Sequence, residues 1–320
     1  MRAVVHDVYG DASVLRLDEV PVPVAGPGQV LVEVRATSLH VGDWHLMAGL
    51  PLLVRPFLGL RGPRQRIRGM DVAGLVHSVG AGVTAVAPGD EVFGVVDGGL
   101  AQFAVGSASK LAPKPASLTY EQAAAIPTSA ATALHAVRDV GRVRSGQRVL
   151  VIGASGGVGI FATQLARAFG ANVTGVGSTA KLDLVRSLGA DEVVDYTTTG
   201  LSGRYDVIVD TAGLRSLGTL RRLLTPAGTL VIVGGEGGSR LLGGLGRTLA
   251  APLAGAFSKQ RLLGLVSTTS AADLATLAAL VETGELRPVL DGTFALDDAA
   301  AAMARLESGR AVGKVVVTAG

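Results

Sequence analysis

Two stretches of this 320-residue chain hold side chains and backbone suited to chemistry. The first, "HVGDWHLMAG" (40–49), sets His40 and His45 around Asp43, with Trp44, the only tryptophan, beside them. Imidazole and carboxylate at such spacing can bind a metal, relay a proton or simply hydrogen-bond one another. Read as a loop, the stretch points His40 and His45 to opposite sides, unlike two histidines four apart on a helix, which share a face. From the residues alone, a metal site, a catalytic loop and ordinary packing all stay open for His40 and Asp43. His45, with His6, His77 and His135, is expected to be structural.

The second stretch, "VLVIGASGGVGIF", places Ala154, Gly156 and Gly159 in the three positions of the dinucleotide fingerprint, after an apolar strand and before a helix. Ser155, Gly157 and Val158 complete the turn, whose helix end offers N–H donors and a partial positive charge to a diphosphate. A glycine-rich turn that binds nothing is the bland reading. About twenty residues on, NAD-binding proteins usually place an acid on the ribose hydroxyls. Here "GVGSTAK" has Gly177, Ser178 and Thr179 at that place and Lys181 just after, a pattern that favours the 2′-phosphate of NADP(H) over the bare ribose of NAD. An N-capped helix with an exposed lysine is the competing account. Gly234, closing "GTLVIVGG", is expected to border the same cofactor.

These residues need elements to hold them. The chain is long for one compact core and suggests two domains. Apolar residues make up 48% and charged ones 17%, so a sizeable core is available and disorder is not expected. From Met1 to about Leu118, short β-like runs such as "VLVEVRAT" and "AGLVHSVG" alternate with Pro and Gly turns, reading as a β-barrel-like domain. "SLTYEQAAAIP" then opens a helix, with Thr119 and Gln122 at capping-box spacing. Beyond it strands and helices alternate, as a doubly wound parallel sheet requires. The tail "PVLDGTFALDDAAAAMARLESGRAVGKVVVTA" reads strand, helix, strand, and either extends that sheet or returns to the first domain.

The absence of cysteine excludes disulfides, thiolate catalysis and cysteine-ligated metal sites. A formal charge of +3, from 29 basic and 26 acidic residues, argues for no particular partner. No secretion signal or membrane-length apolar run is visible, so a cytoplasmic protein without stable membrane insertion is expected. Two stretches contain bases and no acids: Arg55, Arg61, Arg64, Arg66 and Arg68 between Asp43 and Asp71, and Arg240, Arg247, Lys259 and Arg261 between Glu236 and Asp273. They read as lids for a hydrophobic substrate, or as faces for an anionic membrane or another subunit. No long basic tract with interleaved aromatics is present, so no nucleic-acid partner is expected.

Several blocks in order, "VEVRATSLHVGDWHLMAG", "GMDVAGLVHSVGAGVTAVAPGDEVFG", "LAPKPASLTYEQAAAIPTSAATALHAV", "GASGGVG", "SLGADEVVDY" and "GKVVV", resemble the medium-chain dehydrogenase/reductase superfamily, specifically its zinc-independent quinone oxidoreductase branch. The resemblance implies an α/β architecture: a GroES-like β-barrel catalytic domain over 1–118, rejoined by 287–320, and a Rossmann domain over 119–286, with the active site in the cleft between them. It implies that Lys181 and Tyr196 grip the 2′-phosphate together, that Thr132 contacts the nicotinamide, that His40 and Asp43 line the nicotinamide end as a donor or proton relay, with a pair that only shapes the loop as the alternative, and that the chain forms a homodimer. It sets His40, Met70 and Thr128 where zinc-dependent relatives carry their catalytic ligands, so a catalytic zinc is not expected. Asp71 is expected to stabilise the site, and Trp44 to wall the substrate pocket or anchor the core.

Without zinc, an unactivated ketone is a poor hydride acceptor, whereas quinones and α,β-unsaturated carbonyls spread the incoming charge by conjugation. The expected activity is NADPH-dependent reduction of a small hydrophobic quinone or conjugated carbonyl. The alternatives are a zinc-type alcohol dehydrogenase and a non-catalytic NADPH-binding protein.

Overall fold

The computed structural model describes residues 1–234, 240–255 and 258–320. They form two compact units, Met1–Ala131 with Thr268–Gly320, and Thr132–Ser267.

In the first unit, β1 (Arg2–Val5) and β2 (Arg16–Glu19) pair with each other, and β3 (Gln29–Leu39) runs directly into helix α1 (Val41–Ala48). A short helix α2 (Arg55–Leu58) precedes β4 (Asp71–Val79), β5 (Glu91–Val95), β6 (Phe103–Ser107) and β7 (Leu111–Pro113). Helix α3 (Tyr120–Ala124) starts at Thr119, whose hydroxyl accepts from the Gln122 N–H while the Gln122 side chain accepts from the Thr119 N–H, the expected capping box. Helix α4 (Pro127–Leu134) leads into the second unit.

That unit holds β8 (Arg148–Ile152), α5 (Gly159–Ala168), β9 (Asn172–Gly177), α6 (Leu182–Ser187), β10 (Glu192–Asp195), β11 (Tyr205–Asp210), α7 (Leu217–Leu223), β12 (Leu224–Ile232), α8 (Leu245–Gly255) and β13 (Arg261–Gly264). Its six strands are parallel in the order β10-β9-β8-β11-β12-β13, the doubly wound dinucleotide-binding topology. Strand β8 is a continuous apolar run because helices cover both faces of such a sheet. Leu150, Ile152, Ile208, Leu230 and Ile232 are buried together in its core.

The chain then returns to the first unit with α9 (Ala271–Glu282), β14 (Leu290–Ala295), α10 (Ala299–Glu307) and β15 (Lys314–Thr318). Of the two courses open to the tail, it takes the return: β15 pairs with β3 from Leu39 to Ala36, in a seven-stranded sheet ordered β14-β15-β3-β4-β5-β7 with β6 also on β3. Register shifts in the β3–β4 pairing at Leu31/Val32 and Val34/Ala36 bend the long β3, so β6 and β15 take successive halves of it. The compact units divide at 131/132 and 267/268, with α3 packed on β3 and β4, and α9 on β7, inside the first. Among the described residues, no helix is long and apolar enough to cross a membrane.

Candidate active site and dinucleotide site

The stretch expected as a loop is helix α1, a correction with a local cause. His40 is its N-cap in extended backbone, and Asp43, at the third helical position, accepts the His40 backbone N–H at 3.0 Å. Gly49 closes the helix at φ 64°, a left-handed conformation in which a side chain would be strained. Asp43 is fully buried, and its other oxygen accepts the Gly69 N–H at 3.1 Å. Both oxygens are thus committed to backbone, so Asp43 orders the helix start and the segment before β4. The His40 Nε2 lies 3.4 Å from Asp43 Oδ2 without a formed hydrogen bond, and among the described residues it is buried with no hydrogen-bond partner, as are Trp44 Nε1 and His45 Nδ1. Trp44 packs on the core cluster that includes Leu39, Met47 and Val317, and its ring lies 4.8 Å from that of His45. Burial pushes the pKa of His45 down, keeping it neutral.

Asp71, the first residue of β4, is the hub of this unit. Its Oδ1 accepts both the N–H (3.0 Å) and the hydroxyl of Thr128, and its Oδ2 faces Lys314 Nζ at 3.7 Å. Lys314 is 2% exposed and also donates to Ser129 Oγ at 3.0 Å. Burial pushes its pKa down while Asp71 and Asp43 pull it up. This pair ties β4, β15 and α4 together at the residues flanking the site. Lys314 was not singled out in the sequence, although a lone charge in the apolar run "GKVVVT" carries a usable signal: buried charges are paired.

The three positions aligned with zinc ligands do come together. A Cβ on Gly42 would lie 2.7 Å from His40 Cε1 and 4.0 Å from Met70 Cε, and Thr128 is bonded to Asp71 beside Met70. They supply one imidazole, one thioether and one hydroxyl already donating to a carboxylate, a set that does not fit zinc. Among the described residues, no group of three or more His, Asp or Glu side chains is placed to hold a metal ion.

In the second unit the glycine turn leaves β8 and enters α5, whose start is capped by no side chain; the N–H groups of Ile160 and Phe161 already bond the Gly156 and Val158 carbonyls, and among the described residues those of Gly157, Val158 and Gly159 are left for a ligand. A Cβ on Gly159 would overlap the Gly153 carbonyl oxygen, which is why glycine stands where helix and strand cross. Ala154 is fully buried in the first fingerprint slot, its Cβ facing Gly175 on β9, which leaves room for it. Ser155 is buried; Gly156, Gly157 and Val158 are partly open. An uncapped helix start approached by glycine backbone fits a dinucleotide diphosphate.

At the ends of β9 and β10 the expected selectivity residues gather. The Tyr196 N–H donates to the Gly177 carbonyl at 3.1 Å, and the Lys181 Cβ lies 3.9 Å from where a Gly177 Cβ would stand. Ser178 is half-buried and Tyr196 is 54% exposed. Thr179 behaves differently from the expectation: its hydroxyl donates to Asp195 Oδ2. In the parallel register Asp195 lies opposite Gly177, so a carboxylate distant in sequence takes up a place near the one the missing acid left. Hydrogen bonds from Thr179 and Thr197 hold its pKa below the usual range. Gly234, just beyond β12, has its Cβ position 3.4 Å from the Thr211 carbonyl, and Thr132 is half-buried on α4.

Of the remaining histidines, His6 is buried with Nδ1 on the Val8 carbonyl, His77 lies edge-on to Phe103, and His135 meets Ser267 Oγ at 2.8 Å. In the first acid-free stretch Arg55 bonds the Gly49 carbonyl, Arg66 bonds Asp7 and Arg68 is buried, while Phe57 and Leu60 stand exposed. Part of the second stretch, 235–239 and 256–257, lies outside the described residues.

A mostly antiparallel first unit joined to a doubly wound second one with a dinucleotide turn defines a two-domain nicotinamide-type oxidoreductase. Residues 26–116 match the family model for the alcohol dehydrogenase GroES-like domain, and residues 188–317 that for zinc-binding dehydrogenase. The chain is 34% identical to the chloroplastic quinone-oxidoreductase QR1 of Triphysaria versicolor, over 99% of this chain and 98% of that protein. It is 33% identical to 2-methylene-furan-3-one reductase of Solanum lycopersicum, over 99% and 79%. A solved NAD-dependent alcohol dehydrogenase superposes with a TM-score of 0.84 at 31% identity, covering both chains in full. The chain belongs to the medium-chain dehydrogenase/reductase superfamily, on its quinone oxidoreductase-like branch, a group of NAD(P)H oxidoreductases.

Proposed function

We propose that this protein is an NADPH-dependent reductase of small hydrophobic quinones or α,β-unsaturated carbonyls that works without a metal ion. The observation that carries the proposal is the chemistry at the three ligand positions: His40, Met70 and Thr128 cannot replace a zinc donor set, so only acceptors that disperse charge themselves suit the site. Its relatives' names, a quinone oxidoreductase and a furanone reductase, support the same class.

When bound, NADPH supplies the hydride. The backbone from Ala154 to Gly159 holds its diphosphate, with Ser155, Gly156, Gly157 and Val158 lining the turn, and Gly234 borders it. Ser178, Lys181 and Tyr196 bind the 2′-phosphate, and Thr132 the nicotinamide end. His40 Nε2, buried and without a hydrogen-bond partner among the described residues, donates to the acceptor oxygen as charge builds there, or passes it the final proton. Asp43 acts through His40 by fixing the helix start. Cytoplasmic location enters this proposal from the sequence, and a homodimeric state from the family resemblance.

One observation favours a second cofactor reading. An ionised Asp195 engaging Thr179 repels a 2′-phosphate and suits a ribose hydroxyl, so NADH is the competitor. Cofactor oxidation measured with NADPH and with NADH, against quinones, enones, enals and simple ketones, tests both points. Faster turnover of conjugated acceptors with NADPH is expected. Equal rates with NADH would refute the 2′-phosphate assignment, and turnover confined to simple ketones would refute the acceptor class.

A further inference from the structure

Asp210 is the last residue of β11 and fully buried. Its Oδ1 accepts the Gly213 N–H at 3.1 Å and its Oδ2 accepts from Arg247 Nη2, on α8, at 2.8 Å. The rest of that guanidinium is left unsatisfied: Nε and Nη1 of Arg247 are buried and have no hydrogen-bond partner among the described residues. Buried donors without acceptors are costly, more so on a cation, so a site that keeps two of them is shaped for an acceptor that arrives from outside.

The fold indicates which acceptor. Asp210 pairs in register with Ile152, the last residue of β8, and Gly153, just beyond that strand, opens the glycine turn. The two strand ends are stitched together, since the Thr211 hydroxyl donates to the Ile152 carbonyl at 2.8 Å and a Cβ on Gly153 would lie 2.5 Å from that hydroxyl oxygen. With the order β10-β9-β8-β11-β12-β13, the direction of winding reverses between β8 and β11, which is where a dinucleotide crosses the sheet edge. Lys181 and Tyr196 gather on the β9–β10 side, so the adenosine half lies there and the remainder leaves over β11. The group that passes Asp210 is therefore the diphosphate and the ribose beyond it. A guanidinium with spare donors matches phosphate oxygens by charge and geometry.

We propose that Arg247, held in place by Asp210, binds the cofactor diphosphate from the β11 side, opposite the helix N–H groups of α5. The inference rests on the dinucleotide reading given above. It also assigns a role to one cation of the second acid-free stretch, as part of the cofactor site.

Titration calorimetry on the full chain separates the two claims, using NADP⁺ and 2′,5′-ADP, which carries the adenosine phosphates and lacks the diphosphate bridge. Arg247→Met is expected to weaken NADP⁺ at least tenfold and to change 2′,5′-ADP less than twofold. Arg247→Lys, which keeps the charge and fewer donors, should fall between wild type and Arg247→Met for NADP⁺ and serves as the readout if the methionine variant does not fold. Wild-type protein that binds neither ligand, and does not bind NAD⁺ in the same titration, would overturn the dinucleotide reading itself. Wild-type binding of both, with variants that lose neither or lose both equally, would overturn the role of Arg247.

Discussion

The two units present their functional residues in different ways. In the second, one contiguous turn from Gly153 to Gly159 makes the diphosphate part of the candidate site, and Gly156 and Gly159 both close on the Gly153 carbonyl within that turn. In the first, the surroundings of His40 are assembled from residues spread along the chain: Asp43, Gly69, Asp71, Thr128 and, from the far end of the sequence, Lys314. A local site survives in the sequence as a motif. A site assembled by a sheet that takes in the tail of the chain is visible only after folding.

Substitutions can break that contrast, and the largest effect is expected at the buried pair. Removing one partner leaves the other charge uncompensated, so Lys314→Met should cost about 3–5 kcal/mol in urea unfolding. The double variant with Asp71→Asn should recover part of this loss. A cost under 1 kcal/mol for Lys314→Met would mean that the pair does not tie the first unit together.

Next in size is the side chain at the helix start. His40→Ala should lower kcat by roughly a hundredfold, in the range of a lost proton or hydrogen-bond donor, with unchanged affinity for NADPH. His45→Ala, compared per folded molecule, should retain turnover. Equal kcat losses in both variants would make α1 a structural helix only.

A smaller change is expected where β9 and β10 end. Lys181→Met should weaken NADPH about tenfold, the loss of one phosphate contact, and leave NADH nearly unaffected. Asp195→Asn should shift preference the other way, toward NADPH, by several-fold in the ratio of KM values. Parallel changes for both cofactors would remove these residues from selectivity.

The least change is in the pH dependence of stability. Burial lowers the pKa of His6 and His45 below the ordinary value of 6.5, so the unfolded chain takes up protons before the folded one does. Their neutral burial is fully tolerated above pH 6.5, and stability is lost as pH falls below it. His6→Gln with His45→Gln should flatten the slope of unfolding free energy against pH just below 6.5, and an unaltered slope would assign that loss to other groups.

The second unit was largely legible in the sequence because its signals are local: alternating strand and helix periods and the fingerprint. Helix α1 was not, since "HVGDWHLMAG" lacks a clear apolar stripe and its start depends on Asp43 capping the His40 backbone. Thr179 looked like a phosphate ligand because Asp195, sixteen positions later, becomes its neighbour only through the β9–β10 register. The Lys314–Asp71 and Arg247–Asp210 pairs had a one-sided signal, a lone charge in or at the end of an apolar strand, but no partner can be read without the fold.

Metal-free hydride transfer is the central claim, and it is tested most directly by NADPH oxidation with a quinone acceptor, using protein dialysed against chelator and assayed for zinc in the same sample. The proposal predicts substoichiometric zinc and a rate unchanged by chelation. One zinc per chain, with activity lost on its removal and restored on its return, would contradict it.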